Sequence, residues 1–340
     1  MKWVKNHIKQ IIIYIIIYAG LMLFFTYPLP YELYLPGGVN SAQLFVEFDN
    51  SYPSSGTFNS SYVSVVTKPS PFQYLLAKAN KKADINKMGK LQSSLPISEI
   101  LESDRLGKKS SIYASIITAY NQAKKEINYT EAGVVIIYRY LDMLAYEKIQ
   151  VGDIIIEVNN LDVDNYYDLA SVIKPISCSE DIKVTVLRDN KELILNVRKT
   201  ETDNGCLFGI STYNTFTNYE NMVSNPEFEI VDDSGYGSSA GLIQTLSIYN
   251  ALTELDISFG LKIAGTGTIS TDGTVGPIGG IKQKVFGACK ANVDLFFTPK
   301  EHYEDAIKAR DIMKSDMVIV SVESFKDALT YLLSNYGAAD

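Results

Sequence analysis

The sequence predicts an α+β multidomain protein carried behind an N-terminal transmembrane helix. Three observations predict it: a long apolar run near the start, short strand patterns broken by turn residues through the middle, and alternating helical and strand patterns over the last third. At 340 residues there is room for two or three domains. With 46% hydrophobic and 21% charged residues the chain has the makeup of a folded protein, not a disordered tail.

The apolar run covers Ile11 to Tyr27. As a helix it spans roughly 25 Å at about 1.5 Å per residue. A hydrocarbon core is about 30 Å thick, and flanking side chains with local thinning cover the difference. Lys2, Lys5 and Lys9 precede the run, and Pro28 and Pro30 follow it. The positive-inside bias places residues 1–10 in the cytoplasm, the anchor at 11–27 and everything after Pro28 outside. A cleaved signal peptide is the competing reading. The run is long for one, and no small-x-small site follows it, so a retained anchor in the cell membrane is expected.

Bulk chemistry excludes several functions. A net charge of −8 offers no positive field to hold nucleic acid. Cys178, Cys206 and Cys289 form an odd set without a CxxC pair, which argues against a disulfide framework and a thiolate metal site. Each is expected to pack as a small apolar residue, and no metal or cofactor is implied. The two histidines are His7, at the membrane boundary, and His302, on a charged stretch where it is expected to be solvated. Ser-His-Asp, Cys-His and HExxH chemistry each need a well-placed histidine. Their scarcity removes most hydrolase mechanisms.

Residues 28–128 read as a β-rich and helical connecting region. AQLFVEFDN and SYVSVVTKP are strand-like around the turn SYPSSG, and a helix is expected near Ser111 to Ile127. Residues 129–200 begin with the strand VVIIY and continue through QVGDIIIEVNNLDV to a helix in NYYDLASVIK. Two strands then follow, joined at Asp189-Asn190. This order, with Val151-Gly152-Asp153-Ile154-Ile155, resembles a PDZ domain of bacterial proteases. The resemblance implies peptide binding by β-augmentation at Gly133, Val134, Val135 and Ile136, with a C-terminal carboxylate held by N–H groups near Glu131 to Gly133. The alternative is a domain packed on its neighbour with a closed groove.

The chemistry concentrates after Asp232. DDSGYGSSAGL places serines at a glycine turn opening a helix, and Leu242, Leu246 and Tyr249 recur as its buried face. A serine there has backbone N–H groups and the positive helix end beside it, which favour negative charge developing on an attacked carbonyl. Ser238 is expected to cap that helix, and Asp232 and Asp233 to be surface acids. Without histidine a serine still needs a proton acceptor, and lysine serves if its pKa falls from about 10.4 towards 7 or 8. A helix is expected from about Gly280 to Asn292. On it Lys290 falls on the polar side, and periodicity leaves Lys282 and Lys284 both open.

GSSAGL, then AGTGTIS, then VGPIGGIKQK are similar in order and spacing to the proteolytic domain of Lon-type serine peptidases, over residues 201–340. The resemblance implies a Lon-type α/β domain with Ser239 as nucleophile, Lys284 as general base, Thr266 holding the lysine, and Gly237 and Ala240 supporting the turn. Ser238 replaces a proline common in the family, and Tyr236 stands where an acidic residue is usual. The order of anchor, PDZ-type and Lon-type domains resembles the membrane-bound PDZ-containing Lon-like proteases. No GxxxxGK[ST] phosphate loop occurs. The expected function is an ATP-independent, membrane-anchored serine endopeptidase acting outside the cytoplasm on unfolded, short or membrane-tethered proteins. The alternative is a non-catalytic membrane-anchored peptide-binding adaptor. Related proteolytic domains form rings, so homo-oligomerisation is open to this chain.

Overall fold

The computed structural model describes residues 2–42, 45–89, 95–203, 205–210, 215–231 and 237–337. Helix α1 (Lys2–Thr26) contains the apolar run and begins ahead of it. Within it His7–Thr26 is long and apolar enough to cross a membrane, and none of that span is buried against the rest of the chain.

Residues 27–30 lead into β1 (Tyr31–Ser41), followed by β2 (Val46–Phe48), β3 (Thr57–Thr67), α2 (Pro71–Ala79), β4 (Asp84–Lys87) and the long α3 (Ile97–Gln122). Then come β5 (Glu126–Ile136), β6 (Ile154–Val158), β7 (Leu161–Asp162), α4 (Tyr166–Ile173), β8 (Ile182–Arg188) and β9 (Lys191–Val197). β10 (Thr200–Thr202), β11 (Gly205–Leu207), β12 (Thr215–Asn225) and β13 (Phe228–Ile230) precede α5 (Gly241–Leu252). The chain closes with β14 (Lys262–Gly265), β15 (Thr268–Ile269), β16 (Val275–Gly276), α6 (Ile281–Lys290), β17 (Leu295–Pro299), α7 (Tyr303–Met313), β18 (Val318–Val322) and α8 (Phe325–Tyr336).

The main sheet has the order β18-β17-β14-β3-β1-β4. Its pairs from β18 to β3 are parallel, and β1 and β4 are antiparallel. The sequence leads to the expectation of a separate connecting region at residues 28–128, and the structure departs from it. Those residues supply β1, β3 and β4 to the sheet that β14, β17 and β18 complete, so the unit is not confined to residues 201–340. A strand pattern is a local signal and carries no address for a partner two hundred residues away.

Side-chain alternation gives this sheet two covered faces. Ile263, Leu295 and Phe297 pack with Ile112 and Ile116 of α3, Leu246 of α5 and Phe325 of α8. Ala264 and Phe296 point the other way, against Val285 and Phe286 of α6 and Ala306 of α7. Helix α3 starts well before Ser111 and stops before Ile127. Its first half lacks a legible apolar stripe because Ile97 and Leu101 are exposed while Lys108 is buried.

The second sheet runs β12-β5-β6-β8-β9, with β7 on β6, over a core of Val134, Ile136, Ile155, Leu169, Val184 and Val186. Asp189 and Asn190 both adopt positive φ (50° and 59°), the geometry that lets a two-residue turn join twisted strands. The Val151-Gly152-Asp153 motif acquires a physical reason. Asp153, fully buried, receives Arg188 Nε at 2.7 Å and Nη2 at 2.8 Å, and its Oδ2 accepts the Gln150 N–H at 2.8 Å. Arg139 ties this unit to α3 through Glu99, with Nη2–Oε1 at 2.5 Å.

Two expectations fail here. Cys178 and Cys206 are joined by a disulfide, their Cα atoms 5.5 Å apart. The β10–β11 hairpin folds back towards the loop after α4, a meeting that spacing alone does not reveal. Cys289 is free and buried, packed among apolar neighbours as expected. The peptide-binding edge is also not open. Strand β12 pairs antiparallel with β5, setting Thr217 opposite Val134, Phe216 opposite Val135 and Thr215 opposite Ile136. The other edge of β5 is taken by β6, at Val134–Ile155 and Val135–Ile154. The Gly133 N–H, expected to hold a carboxylate, donates to the Asp164 carbonyl at 2.9 Å. The chain supplies its own augmenting strand. After β12 it returns to the body, where the Tyr120 hydroxyl donates to the Pro226 carbonyl at 2.6 Å and β13 pairs with β2.

Candidate active site

Ser239 lies in the turn that opens α5, whose N-cap is Ala240. The expected stripe of Leu242, Leu246 and Tyr249 describes only part of this helix, because Gly241 to Ile248 is buried on every side. Two polar residues of this helix are satisfied by nearby backbone, while the buried Gln244 amide has no partner among the described residues. Thr245 Oγ1 donates to the Gly241 carbonyl at 2.8 Å, and Asn250 Oδ1 accepts the Ile257 N–H at 2.7 Å. Ser238 does not cap the helix, since no side-chain bond closes its N-terminus.

Helix α3 holds the serine turn instead. The Asp104 carbonyl accepts the Gly237 N–H at 3.0 Å and Ser111 Oγ donates to the Ser238 carbonyl at 3.0 Å, while Ser115 Oγ sits 2.7 Å from the Ser111 carbonyl of its own helix and 3.0 Å from the Gly241 carbonyl. Positions 104, 111 and 115 share one helical face, a polar spacing the sequence displayed without showing its target. Gly237 thus spends its amide on α3, whereas those of Ser239 and Ala240 have no acceptor among the described residues. Asp232, Asp233 and Tyr236 lie outside the described residues.

Two close approaches aim α6. Gly280 precedes it at φ +70°, and a Cβ there would meet Val63 Cγ1 at 2.8 Å and Tyr34 Cδ1 at 3.0 Å. A Cβ on Gly287 would sit 3.1 Å from the Gly37 backbone, so the helix lies directly on β1. This brings Lys284 inward, 2% exposed, with Nζ 2.6 Å from Ser239 Oγ and 2.8 Å from Thr266 Oγ1. Lys282, equally open on the helical wheel, faces out and pairs with Asp84 at 3.5 Å. Lys290 is exposed.

Thr266 follows β14 and is itself fully buried. Its hydroxyl donates to the Ser239 carbonyl at 3.0 Å, and the Gly267 N–H donates to the same oxygen at 2.8 Å. Burial pushes the Lys284 amine down from its ordinary 10.5 to about 7. No carboxylate pairs with it among the described residues. With the amine neutral, hydrogen bonds run in one direction: Ser239 O–H to Lys284 Nζ, Lys284 N–H to Thr266 Oγ1, Thr266 O–H to the Ser239 carbonyl. Such an arrangement can draw a proton from the serine hydroxyl.

Acidic groups lie at the edge of the site. Partial desolvation and the nearby Glu32 push the Asp104 carboxyl up. The Tyr34 hydroxyl is pushed up by burial and donates to Glu32 Oε2 at 3.1 Å. His302 is not a freely solvated side chain as expected. Its Nε2 accepts the Ile278 N–H at 3.1 Å and so braces the turn before α6. A nitrogen accepting that bond has no proton for Glu301 Oε1, 3.2 Å away, so the backbone contact is the one that defines its role. Among the described residues no group of three or more His, Cys, Asp or Glu converges to hold a metal ion.

Ser239, Thr266 and Lys284 fall within a segment that is similar to known proteins. Residues 208–335 match the Lon protease (S16) C-terminal proteolytic domain. The chain is similar to the Lon protease of Campylobacter concisus, 30% identical over 147 residues, which cover 43% of this chain and 18% of that protein. Lon protease of Metamycoplasma arthritidis is 33% identical over 125 residues, 37% of this chain and 14% of that one. For Clostridium beijerinckii the figures are 35% over 93 residues, 27% and 11%. The chain thus spans less than a fifth of the length of these relatives. Among solved structures, the PDZ domain of an SdrC-like protein from Listeria innocua is 20% identical, covering 23% of this chain and 91% of that one with a TM-score of 0.22. A counterpart from Listeria monocytogenes gives 19%, 25%, 90% and 0.23. On a chain of mixed helix and strand with one apolar N-terminal helix, residues 208–335 are a proteolytic domain of the Lon protease (S16) type.

Proposed function

We propose that this chain is a membrane-anchored serine endopeptidase that uses a Ser239–Lys284 dyad without ATP. The observation that carries the reading is the 2.6 Å approach of a buried, proton-poor amine to a hydroxyl at a helix start. Ser239 Oγ attacks the peptide carbonyl as Lys284 takes its proton. The Ser239 and Ala240 amides, beside the positive end of α5, receive the oxyanion. Lys284 returns the proton to the leaving amine, and water, deprotonated by the same lysine, then releases the acyl group. Thr266 keeps the amine aimed.

Helix α1 supports the membrane anchor, with the lysines before the apolar run on the cytoplasmic side. The Cys178–Cys206 bridge supports an oxidising, extracytoplasmic setting for the rest. ATP independence is supported by that setting. Substrates are then proteins or peptides already unfolded, short or tethered at the membrane. Capture of a peptide end at Val134–Ile136 is no part of this reading, because β12 occupies that edge. The adaptor alternative loses its binding edge for the same reason.

The test is cleavage of an unstructured protein by the full chain in detergent or bilayer. Ser239→Ala and Lys284→Ala are each expected to abolish turnover while the fold persists by circular dichroism. Undiminished turnover in either variant sinks the dyad.

A further inference from the structure

We propose that α2 is a membrane-surface element, its outer face resting in the headgroup–acyl boundary of the bilayer that α1 crosses. The inference rests on the anchor reading of α1 and extends it to the catalytic body. Helix α2 carries its apolar stripe on the outside. Phe72, Leu75, Leu76 and Ala79 recur at i, i+3, i+4 and i+7, and the first three are 38%, 54% and 57% exposed. Ala77, on the opposite face, is buried. The helix is firmly closed at its start by a capping box between Ser70 and Gln73, with Pro71 in the first turn.

The position of the stripe names its partner. The Phe72 ring contacts Phe25 at 4.9 Å and Phe24 at 5.9 Å, in the last turns of α1. The outward face of α2 therefore continues the bare apolar surface of the candidate span, at the end from which the chain emerges. Tyr27 is exposed beside it, and Tyr31 packs on Tyr74 at 4.9 Å, placing amphipathic rings where an interface favours them. Lys78 and Lys81 are exposed at the C-terminal end of α2, suited to anionic headgroups. Lipid meets all of these features at once, whereas a second protein copy would have to match a surface already flush with a bilayer.

The contact reaches the site. Gln283 Nε2 of α6 donates to the Lys82 carbonyl at 3.2 Å, Lys82 Nζ lies over the Phe286 ring at 5.8 Å, and Lys282 pairs with Asp84. The turn after α2 is thus fastened to the helix bearing Lys284. Docking of α2 fixes the height of the Ser239 site above the bilayer and favours substrate segments close to the membrane surface.

The experiment uses the full chain reconstituted in vesicles of neutral and anionic phospholipid. A polarity-sensitive fluorophore is placed on a single introduced cysteine, by Leu75→Cys, Leu76→Cys or, in α1, Ile16→Cys. Cys289 is buried and the other two cysteines are bridged, so the label goes to the new thiol. Blue-shifted emission at 75 and 76, quenched by nitroxide-bearing lipid as at 16, is the expected result. Quenching at 16 with water-like emission at 75 and 76 overturns the proposal and leaves the anchor standing. So does a blue shift at 75 and 76 that lipid does not quench and that disappears on dilution to one chain per vesicle, the mark of a second copy. Absence of quenching at 16 overturns both readings.

Discussion

Lys284 Nζ and Ser239 Oγ lie 2.6 Å apart although their helices, α6 and α5, cover opposite faces of the main sheet. The meeting point is the carboxyl end of β14, where Thr266 leaves the strand and both helices begin.

The first prediction concerns pH. Only the neutral amine accepts a proton, and burial sets its titration near 7. kcat/KM is expected to rise about tenfold per pH unit below that point and to level off above it. A profile measured from pH 5 to 9 that stays flat through 7 would contradict a lysine base.

Stability should also rise with pH, but over a higher range than activity. The folded chain holds Lys284 near 7 and the unfolded chain near 10.5, so between these values the unfolded state binds more protons and stability rises with pH. At or below pH 7 the buried amine costs on the order of 4 kcal/mol. Lys284→Met is expected to be inactive yet to melt higher, with its advantage fading as pH approaches 10. Equal melting temperatures at pH 6 would show that the site accommodates the charge.

Thr266→Val removes the acceptor of the lysine N–H inside a dry site. An unpaired buried donor costs about 1–3 kcal/mol, corresponding to roughly 5- to 150-fold in kcat. The pH profile should shift as well, because the amine has lost a bonded partner. Thr266→Ser, which retains the hydroxyl, should recover most of the rate. A Val variant with unchanged profile and rate would demote Thr266 to packing.

Cys178→Ser opens a loop whose ends are 28 residues apart. By chain entropy this costs roughly 3–4 kcal/mol, and thermal denaturation should show a clear fall in Tm. Cleavage of an unstructured substrate below that Tm should be little changed, since Ser239 and Lys284 lie in the other sheet's layers. Loss of turnover at low temperature would mean that the small sheet supports the site more directly.

Much of the fold was legible as local pattern. The turn at Asp189-Asn190, the strand VVIIY and the serine turn GSSAG each announce themselves within a few positions. Ser239 and Lys284 were legible through two glycine-rich motifs, although only packing separates Lys284 from Lys282. What stayed hidden was non-local. Nothing in residues 31–67 declares that they pair with β14, and nothing in TFTNYENMVSN declares that it will close the edge of β5. Helix α3 was partly missed because its buried face mixes serine and lysine with isoleucine, and its bonds to the serine turn depend on a tertiary meeting. The Cys178–Cys206 bridge was missed for the same reason.

The hydrogen bond from Tyr120 to Pro226 places the way into the smaller sheet beside the way out. That unit is therefore a cassette spliced into an otherwise continuous body, entered and left through one doorway. A short linker across the doorway would leave α3, Ser239, Thr266 and Lys284 with their mutual bonds intact. By the same geometry, a bulkier or differently shaped cassette could be exchanged at that point without rebuilding the chemistry beneath it.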